Sequence, residues 1–335
     1  MRKPVLRLHI QNPEHESTFA FTPAQWGEAI ERNPDMANID VSIGSDASGF
    51  DRALSEAEIL LTWVDIVGRR FRGGGVKATA PRLQVISCNA AGVDRLAPFD
   101  WLPEDVALLN NSGIHSDKAG EFGIMALLML QNQMPALIKA QQDAAWTPLH
   151  STTLRGRTLG IVGMGTLGSG VARRARAFGM RVIGVRNSAE PHPDCDDTVS
   201  ADDLDTFLPR VDDLLLACPL TPRTRNLLSR ARIALLPKGA RAINISRGAV
   251  WDQEAICDAL EAGHLESAFT DVVVPEPLDP GHRLWRTRGM IVTPHIGADD
   301  RERYNDVTLD ILFANLRAAR EGKALPNRVD PQKGY

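Results

Sequence analysis

Three polar residues stand just beyond apolar, strand-like runs. Arg247 follows residues 242–246 (AINIS), Glu276 lies five positions past Asp271 in DVVVPEP, and His295 follows residues 292–294 (VTP). A guanidinium can hold a carboxylate, an imidazole can give or take a proton near neutrality, and a carboxylate beside the imidazole can tune it. Reduction of a 2-keto acid needs this set: a cation for the carboxylate, a proton donor for the ketone oxygen, and a group that tunes the donor. Taken singly, each residue has an ordinary reading as a surface ion pair, a structural histidine or a solvated loop acid. Pro275 and Pro277 flank Glu276 and stiffen its loop. What changes the weighing is a nucleotide-type fingerprint upstream of all three.

That fingerprint is Gly163-Met164-Gly165-Thr166-Leu167-Gly168, a GxGxxG placed directly after the apolar run TLGIV and at the start of a helical pattern. The first glycine permits a tight turn, the second lets a pyrophosphate approach the backbone, and the third lets helix and strand pack closely. The N–H groups at the helix start then face phosphate charge. An NAD site places Asp or Glu at the end of the second strand, about 20 residues on. Here that end reads Val185-Arg186-Asn187-Ser188, with Arg186 18 positions past Gly168 (186 − 168) and no carboxylate there. Arg186 can pair with a 2′-phosphate, with Asn187 and Ser188 adding hydrogen bonds, which favours NADP(H). Stacked on adenine instead, Arg186 leaves NAD(H) possible.

The elements that position these residues alternate. Strands are expected at residues 5–10, 59–63, 83–87, 158–162, 181–185, 213–217, 240–245, 268–273 and 290–293. Helices are expected at 23–31, 116–145, from the fingerprint to Phe178, and at 306–320 with Gly322 as a stop. Strands alternating with helices imply α/β architecture with parallel sheets covered on both faces. At 335 residues the chain suggests two domains. A hydrophobic share of 43%, a charged share of 24%, a net charge of −4 and a pI near 6.1 are those of an ordinary soluble protein, and argue against nucleic acid or an anionic membrane as partner. No apolar run reaches membrane-spanning length, and the four scattered cysteines form no CxxC pair, so a reduced, cytoplasmic setting and no metal site are expected.

Across nearly its whole length the sequence resembles the D-isomer-specific 2-hydroxyacid dehydrogenases, the family that includes glyoxylate/hydroxypyruvate reductases. The likeness is carried, in order, by PRLQVISCNAAGVDRL (81–96), GRTLGIVGMGTLGSGVARRARAFGMRVIGV (156–185), CPLTPRTRNLLS (218–229), PKGARAINISRGAVWDQEAICDAL (237–260), DVVVPEPL and TPHIGA. The resemblance implies two doubly wound parallel-sheet domains. A Rossmann NAD(P) domain (114–298) is inserted in a flavodoxin-like substrate domain (1–113 plus 299–335).

It also implies roles. Arg247 binds the substrate carboxylate and carbonyl, His295 is the general acid/base, and Glu276 pairs with the imidazole. The backbone at Ala91 and Gly92 grips the substrate carboxylate. Thr166 and Leu167 contact the pyrophosphate, Cys218 and Pro219 lie beside the cofactor ribose, Ile245, Ser246 and Asp271 lie toward the nicotinamide, and Gly297 is a further cofactor-binding residue. The 116–145 helix, with Met125, Leu128 and Met129, is the expected homodimer element, with a buried helix of one domain as the other reading. Val273, Val274, Pro275 and the charged 297–301 stretch depart from the family's usual residues and bear on substrate size and charge. The implied activity is hydride transfer between NAD(P)H and a small 2-keto or 2-hydroxy acid. The competing function is a nucleotide-sensing, corepressor-like binding protein of the same superfamily.

Overall fold

The computed structural model describes residues 6–15 and 17–334. The chain divides into two compact units, one built from the residues up to Ile114 together with those from Asp300 on, the other from His115–Asp299. These boundaries fall one residue later than those expected from the sequence.

The first unit runs β1 (Leu6–Gln11), α1 (Pro23–Arg32), β2 (Ile39–Gly44), α2 (Ala47–Glu56), β3 (Ile59–Thr62), α3 (Val64–Phe71), α4 (Val76–Thr79), β4 (Val85–Cys88) and β5 (Ala107–Leu109). The five strands are all parallel, in the order β2-β1-β3-β4-β5, which is the flavodoxin-like order. Alternation along β3 shows how both faces are covered. Ile59 and Leu61 pack on one side with Leu309, Leu312 and Phe313, while Leu60 packs on the other with Leu54, Val67 and Phe71. The expected strand at 5–10 is β1; Val5 itself lies outside the described residues.

The second unit runs α5 (Ser116–Gln131), α6 (Met134–Gln142), β6 (Thr158–Val162), α7 (Thr166–Ala177), β7 (Arg181–Arg186), β8 (Asp197–Ser200), α8 (Leu204–Phe207), β9 (Asp213–Leu216), α9 (Arg230–Ile233), β10 (Ala240–Asn244), α10 (Gln253–Glu261), β11 (Leu265–Thr270) and β12 (Met290–Val292). The chain then returns to the first unit with α11 (Tyr304–Arg320), which stops at Gly322, φ +67°. The seven parallel strands run β12-β11-β10-β9-β6-β7-β8, the doubly wound order of dinucleotide-binding sheets with one added strand. A Cβ on Gly170 of α7 would lie 2.2 Å from the Ser116 carbonyl oxygen, so glycine is what lets α5 and α7 touch backbone to backbone.

Two expectations need correcting. The single helix expected over 116–145 is two, α5 and α6. Gln133 between them is left-handed (φ 53°), and Pro135, in the first turn of α6, has no N–H with which to continue the ladder of α5. The strand expected to reach Val273 stops at Thr270: Asp271 still donates to the Asn244 carbonyl of β10, but the N–H groups of Val272 and Val273 bond within their own loop. Among the described residues no helix is long and apolar enough to cross a membrane, and no group of three or more His, Cys, Asp or Glu could hold a metal ion.

Candidate active site

Arg247 is set by the end of β10. Asn244, fully buried, accepts hydrogen bonds at Oδ1 from the Ser246 N–H (3.0 Å) and hydroxyl (2.8 Å), and its Nδ2 donates to the Arg247 carbonyl (3.0 Å). Held this way, Arg247 leaves the strand extended (φ −142°, ψ 141°) and half-buried, with Nη1 donating to the Ser246 carbonyl (2.9 Å). The next residue must be glycine. A Cβ on Gly248 would stand 2.3 Å from the Val273 carbonyl carbon, so the loop carrying Arg247 rests directly on the backbone that leads to Glu276.

His295 is set by Asp271, at the end of β11. The Asp271 carboxylate accepts from the Thr293 hydroxyl (2.6 Å) and from the N–H groups of Ile296 (3.0 Å) and Gly297 (2.8 Å), and its carbonyl accepts from the His295 N–H (2.8 Å). This clasp holds His295 in the left-handed region, φ +55°, a conformation rare for a residue other than glycine and sustained here by its surroundings. The ring then meets Glu276: Nδ1 lies 3.0 Å from Oε2. The carboxylate accepts, so the hydrogen is on Nδ1 and Nε2 is the ring nitrogen left open. The other Glu276 oxygen accepts from the Val273 N–H (3.3 Å). The His295 side chain is 43% exposed and that of Glu276 23%. The pair can therefore reach a ligand while holding its geometry.

The fingerprint lies along the same sheet edge. Gly163 has φ +101°, and a Cβ there would lie 2.6 Å from the Cys218 nitrogen. A Cβ on Gly168 would lie 2.1 Å from the Gly163 carbonyl oxygen. At Gly165 a Cβ would meet nothing within 4 Å, which leaves an open cradle at the start of the twelve-residue helix α7. Thr166 and Leu167 sit in that first turn, where N–H groups lack helical acceptors. An anionic ligand such as a pyrophosphate fits this cradle. Adjacent strand ends bring in the other expected residues: the Ala217 N–H donates to Val162 (2.9 Å) and the Ile245 N–H to Leu216 (3.1 Å). Cys218, Pro219, Ile245 and Ser246 thus share the edge with Gly163. Arg186 closes β7, half-buried, its Nη1 donating to the Glu190 carbonyl (3.4 Å); Asn187 and Ser188 are exposed beside it.

Residues 124–297 match the family model described as the D-isomer specific 2-hydroxyacid dehydrogenase, NAD binding domain. The chain belongs to this family. A mouse glyoxylate reductase/hydroxypyruvate reductase is 31% identical over 264 residues, spanning 75% of this chain and 78% of the relative. Among solved structures, a D-isomer specific 2-hydroxyacid dehydrogenase of Xanthobacter autotrophicus, in complex with NADPH and MES, aligns with a TM-score of 0.83 at 26% identity, over 99% of this chain and 100% of that one. An NADPH-dependent glyoxylate/hydroxypyruvate reductase of Sinorhizobium meliloti, in complex with NADP and sulfate, aligns with a TM-score of 0.80 at 27% identity, over 98% and 100%.

In this dehydrogenase the structure gathers Arg247, Asp271, Glu276, His295 and Gly297 in one cluster of the second unit. Gly297 serves as a packing point: a Cβ there would meet the Phe122 ring at 2.4 Å. Ala91 and Gly92 belong to the first unit, in the loop after β4. That loop is held because the Asn89 carbonyl accepts from Asn111 Nδ2 (2.9 Å) and the Tyr304 hydroxyl (2.7 Å). Sequence reasoning passed over His115 and met Asp299 only as part of the charged 297–301 stretch. Burial lowers the pKa of His115, against the raising effect of its 2.8 Å hydrogen bond to the Ala298 carbonyl; Arg247 and His295 push it further down. Burial raises the pKa of Asp299. Neither follows a strand, so the pattern that found Arg247, Glu276 and His295 had no purchase on them.

Proposed function

We propose that this dehydrogenase moves hydride between NADPH, in preference to NADH, and a small 2-keto or 2-hydroxy acid of the glyoxylate/hydroxypyruvate type. The Glu276–His295 pair, held at 3.0 Å in the unit that carries the fingerprint, is the observation that bears most on this reading. The nicotinamide, when bound, supplies the hydride. Arg247 holds the substrate carboxylate and draws electron density from the carbonyl oxygen. His295, protonated, gives its Nε2 proton to that oxygen as it becomes a hydroxyl, while Glu276 accepts from Nδ1–H and favours the charged imidazolium. In the oxidative direction Nε2 takes the proton back.

Arg186 in place of a carboxylate at the end of β7 supports the NADPH preference, and the two solved relatives described with bound NADPH or NADP agree with it. Turnover of a panel of 2-keto acids with each cofactor tests both parts. Glyoxylate and hydroxypyruvate should be reduced, with the higher kcat/KM for NADPH. Equal efficiency with NADH would sink the preference, and no turnover with any acid would sink the activity. A second copy of this chain is the partner we propose. Met125 and Ile138 are exposed on α5 and α6, and Trp146, just beyond α6, is 97% exposed. Light scattering should give twice the monomer mass of 36.6 kDa; a monomer at micromolar concentration would overturn this.

A further inference from the structure

Gln253, in the first turn of α10, grips the loop that carries Glu276. The Val274 N–H donates to Gln253 Oε1 (3.1 Å), and Gln253 Nε2 donates to the Val274 carbonyl (3.2 Å). One side-chain amide thus satisfies both backbone groups of one residue, two positions before Glu276, and this pairing fixes which end of the amide is oxygen. The loop needs the help. Val274 is 51% exposed and residues 274–277 are all on the surface, so burial does little to hold them. Gln253 itself starts from a firm base, because Asp252 caps the helix by accepting from the Ala255 N–H (3.0 Å). His282 closes the far side. Its Nδ1 accepts from the Leu284 N–H (3.1 Å), so Nε2 carries the hydrogen and faces Glu254 (3.2 Å) while standing 3.2 Å from the Gln253 amide nitrogen.

From this geometry we infer that Gln253 is a positioning residue for proton delivery: through Val274 it fixes the Glu276 carboxylate against His295. The inference rests on the reading of Glu276 and His295 as the proton-delivery pair. Gly248 sets where the loop starts, by backbone contact at Val273, and Gln253 sets how it is oriented one residue later. Without the amide, the stretch after Val273 turns away from His295, and the imidazolium loses the carboxylate that favours its charged form.

The test is kinetic. Gln253→Met keeps side-chain length without the two hydrogen bonds, and Gln253→Ala removes the side chain. Losing two backbone-directed bonds should lower kcat for glyoxylate reduction roughly ten-fold, with KM for glyoxylate within about two-fold, because Arg247 is left in place. The dissociation constant for NADPH, read by fluorescence titration, should stay within about two-fold, because the clamp touches no part of the fingerprint. Gln253→Glu keeps the acceptor for the Val274 N–H and should fall between wild type and Gln253→Met. A merely structural Gln253 gives a lower melting temperature with wild-type kcat in all three variants, and that result overturns the inference. Full activity in His295→Ala instead removes the reading beneath it, so the two failures are told apart.

Discussion

Arginines stand near both ends of strand β10, Arg241 within it and Arg247 three residues beyond it, and the two are built for opposite purposes. At the amino end, Arg241 stands in register with Asp213 on β9, with Nε to Oδ1 at 2.6 Å and Nη2 to Oδ2 at 3.0 Å. Arg157 adds a third contact to the same carboxylate at 3.2 Å. The Arg241 and Asp213 side chains are 1% and 0% exposed. At the carboxyl end, Arg247 is half-buried beside a Glu276–His295 pair that stays open to solvent. Similar residue types serve both clusters. The first spends its charges on one another in a low-dielectric interior, where breaking the pair is costly; the second keeps its charges where a ligand can reach them.

The largest expected effect breaks the open end. His295→Ala should lower kcat by roughly 10²–10⁴-fold, the range for loss of a general acid, while the thermal midpoint and NADPH affinity hold. Preserved turnover would refute the acid/base assignment. At the closed end the pattern reverses. Asp213→Ala strands two guanidinium groups, one of them buried, and should cost about 3–5 kcal/mol in chemical denaturation, with kcat per folded molecule unchanged. A loss of kcat at intact stability would show that the amino end of the sheet reaches the chemistry after all. Between these extremes stands Gly248→Ala. Its Cβ would press on the Val273 backbone, and overpacking of this kind costs about 1–3 kcal/mol. Because the contact joins the Arg247 and Glu276 loops, kcat should fall as well. A stability loss alone would mean the loops adjust without disturbing the site.

The sequence revealed the open end far better than the closed one, for a physical reason. Arg247, Glu276 and His295 each follow an apolar strand, and in parallel sheets the ends of strands are where polar residues can face a ligand, so position along the pattern carried the signal. The strands themselves were legible where they are fully buried and apolar, as in Thr158–Val162, where the expected and observed bounds coincide. β2, β5 and β8 escaped because they are short or mixed in polarity and take their form from neighbours. The break between α5 and α6 was written in Pro135 but outweighed by the apolar periodicity around it. Asp271 was placed in the site only by family likeness. That its carboxylate holds the turn of His295 depends on three hydrogen bonds across loops, which no linear spacing displays. Gln253 was hidden likewise, reading as one polar residue at the start of a helix.

The smallest effect concerns a second histidine, buried where His295 is open. His9 on β1 is 4% exposed and stacked on Phe50 at 5.7 Å. Its Nε2 faces Gln11 Oε1 at 2.9 Å and its Nδ1 faces the Ser42 hydroxyl at 2.8 Å. The amide oxygen can only accept, so the hydrogen is on Nε2 and Ser42 donates to Nδ1, a neutral ring with both nitrogens satisfied. Burial lowers its pKa from the ordinary 6.5, against the raising effects of Gln11, Ser42 and the Asp46 charge. A proton is therefore bound more readily by the unfolded chain than by the folded one. The stability this contributes is fully present above pH 6.5 and drains away as pH falls through the lower folded value. Replacing His9 by Asn removes the titrating ring. Denaturant melts of wild type from pH 7 to pH 5 should show a loss of stability that is shallower in His9→Asn, while kcat of the folded enzyme is equal in the two proteins at every pH. Parallel stability curves would mean that burial does not hinder protonation of His9. In that case burial does not divide the two histidines as exposure divides the two ends of β10.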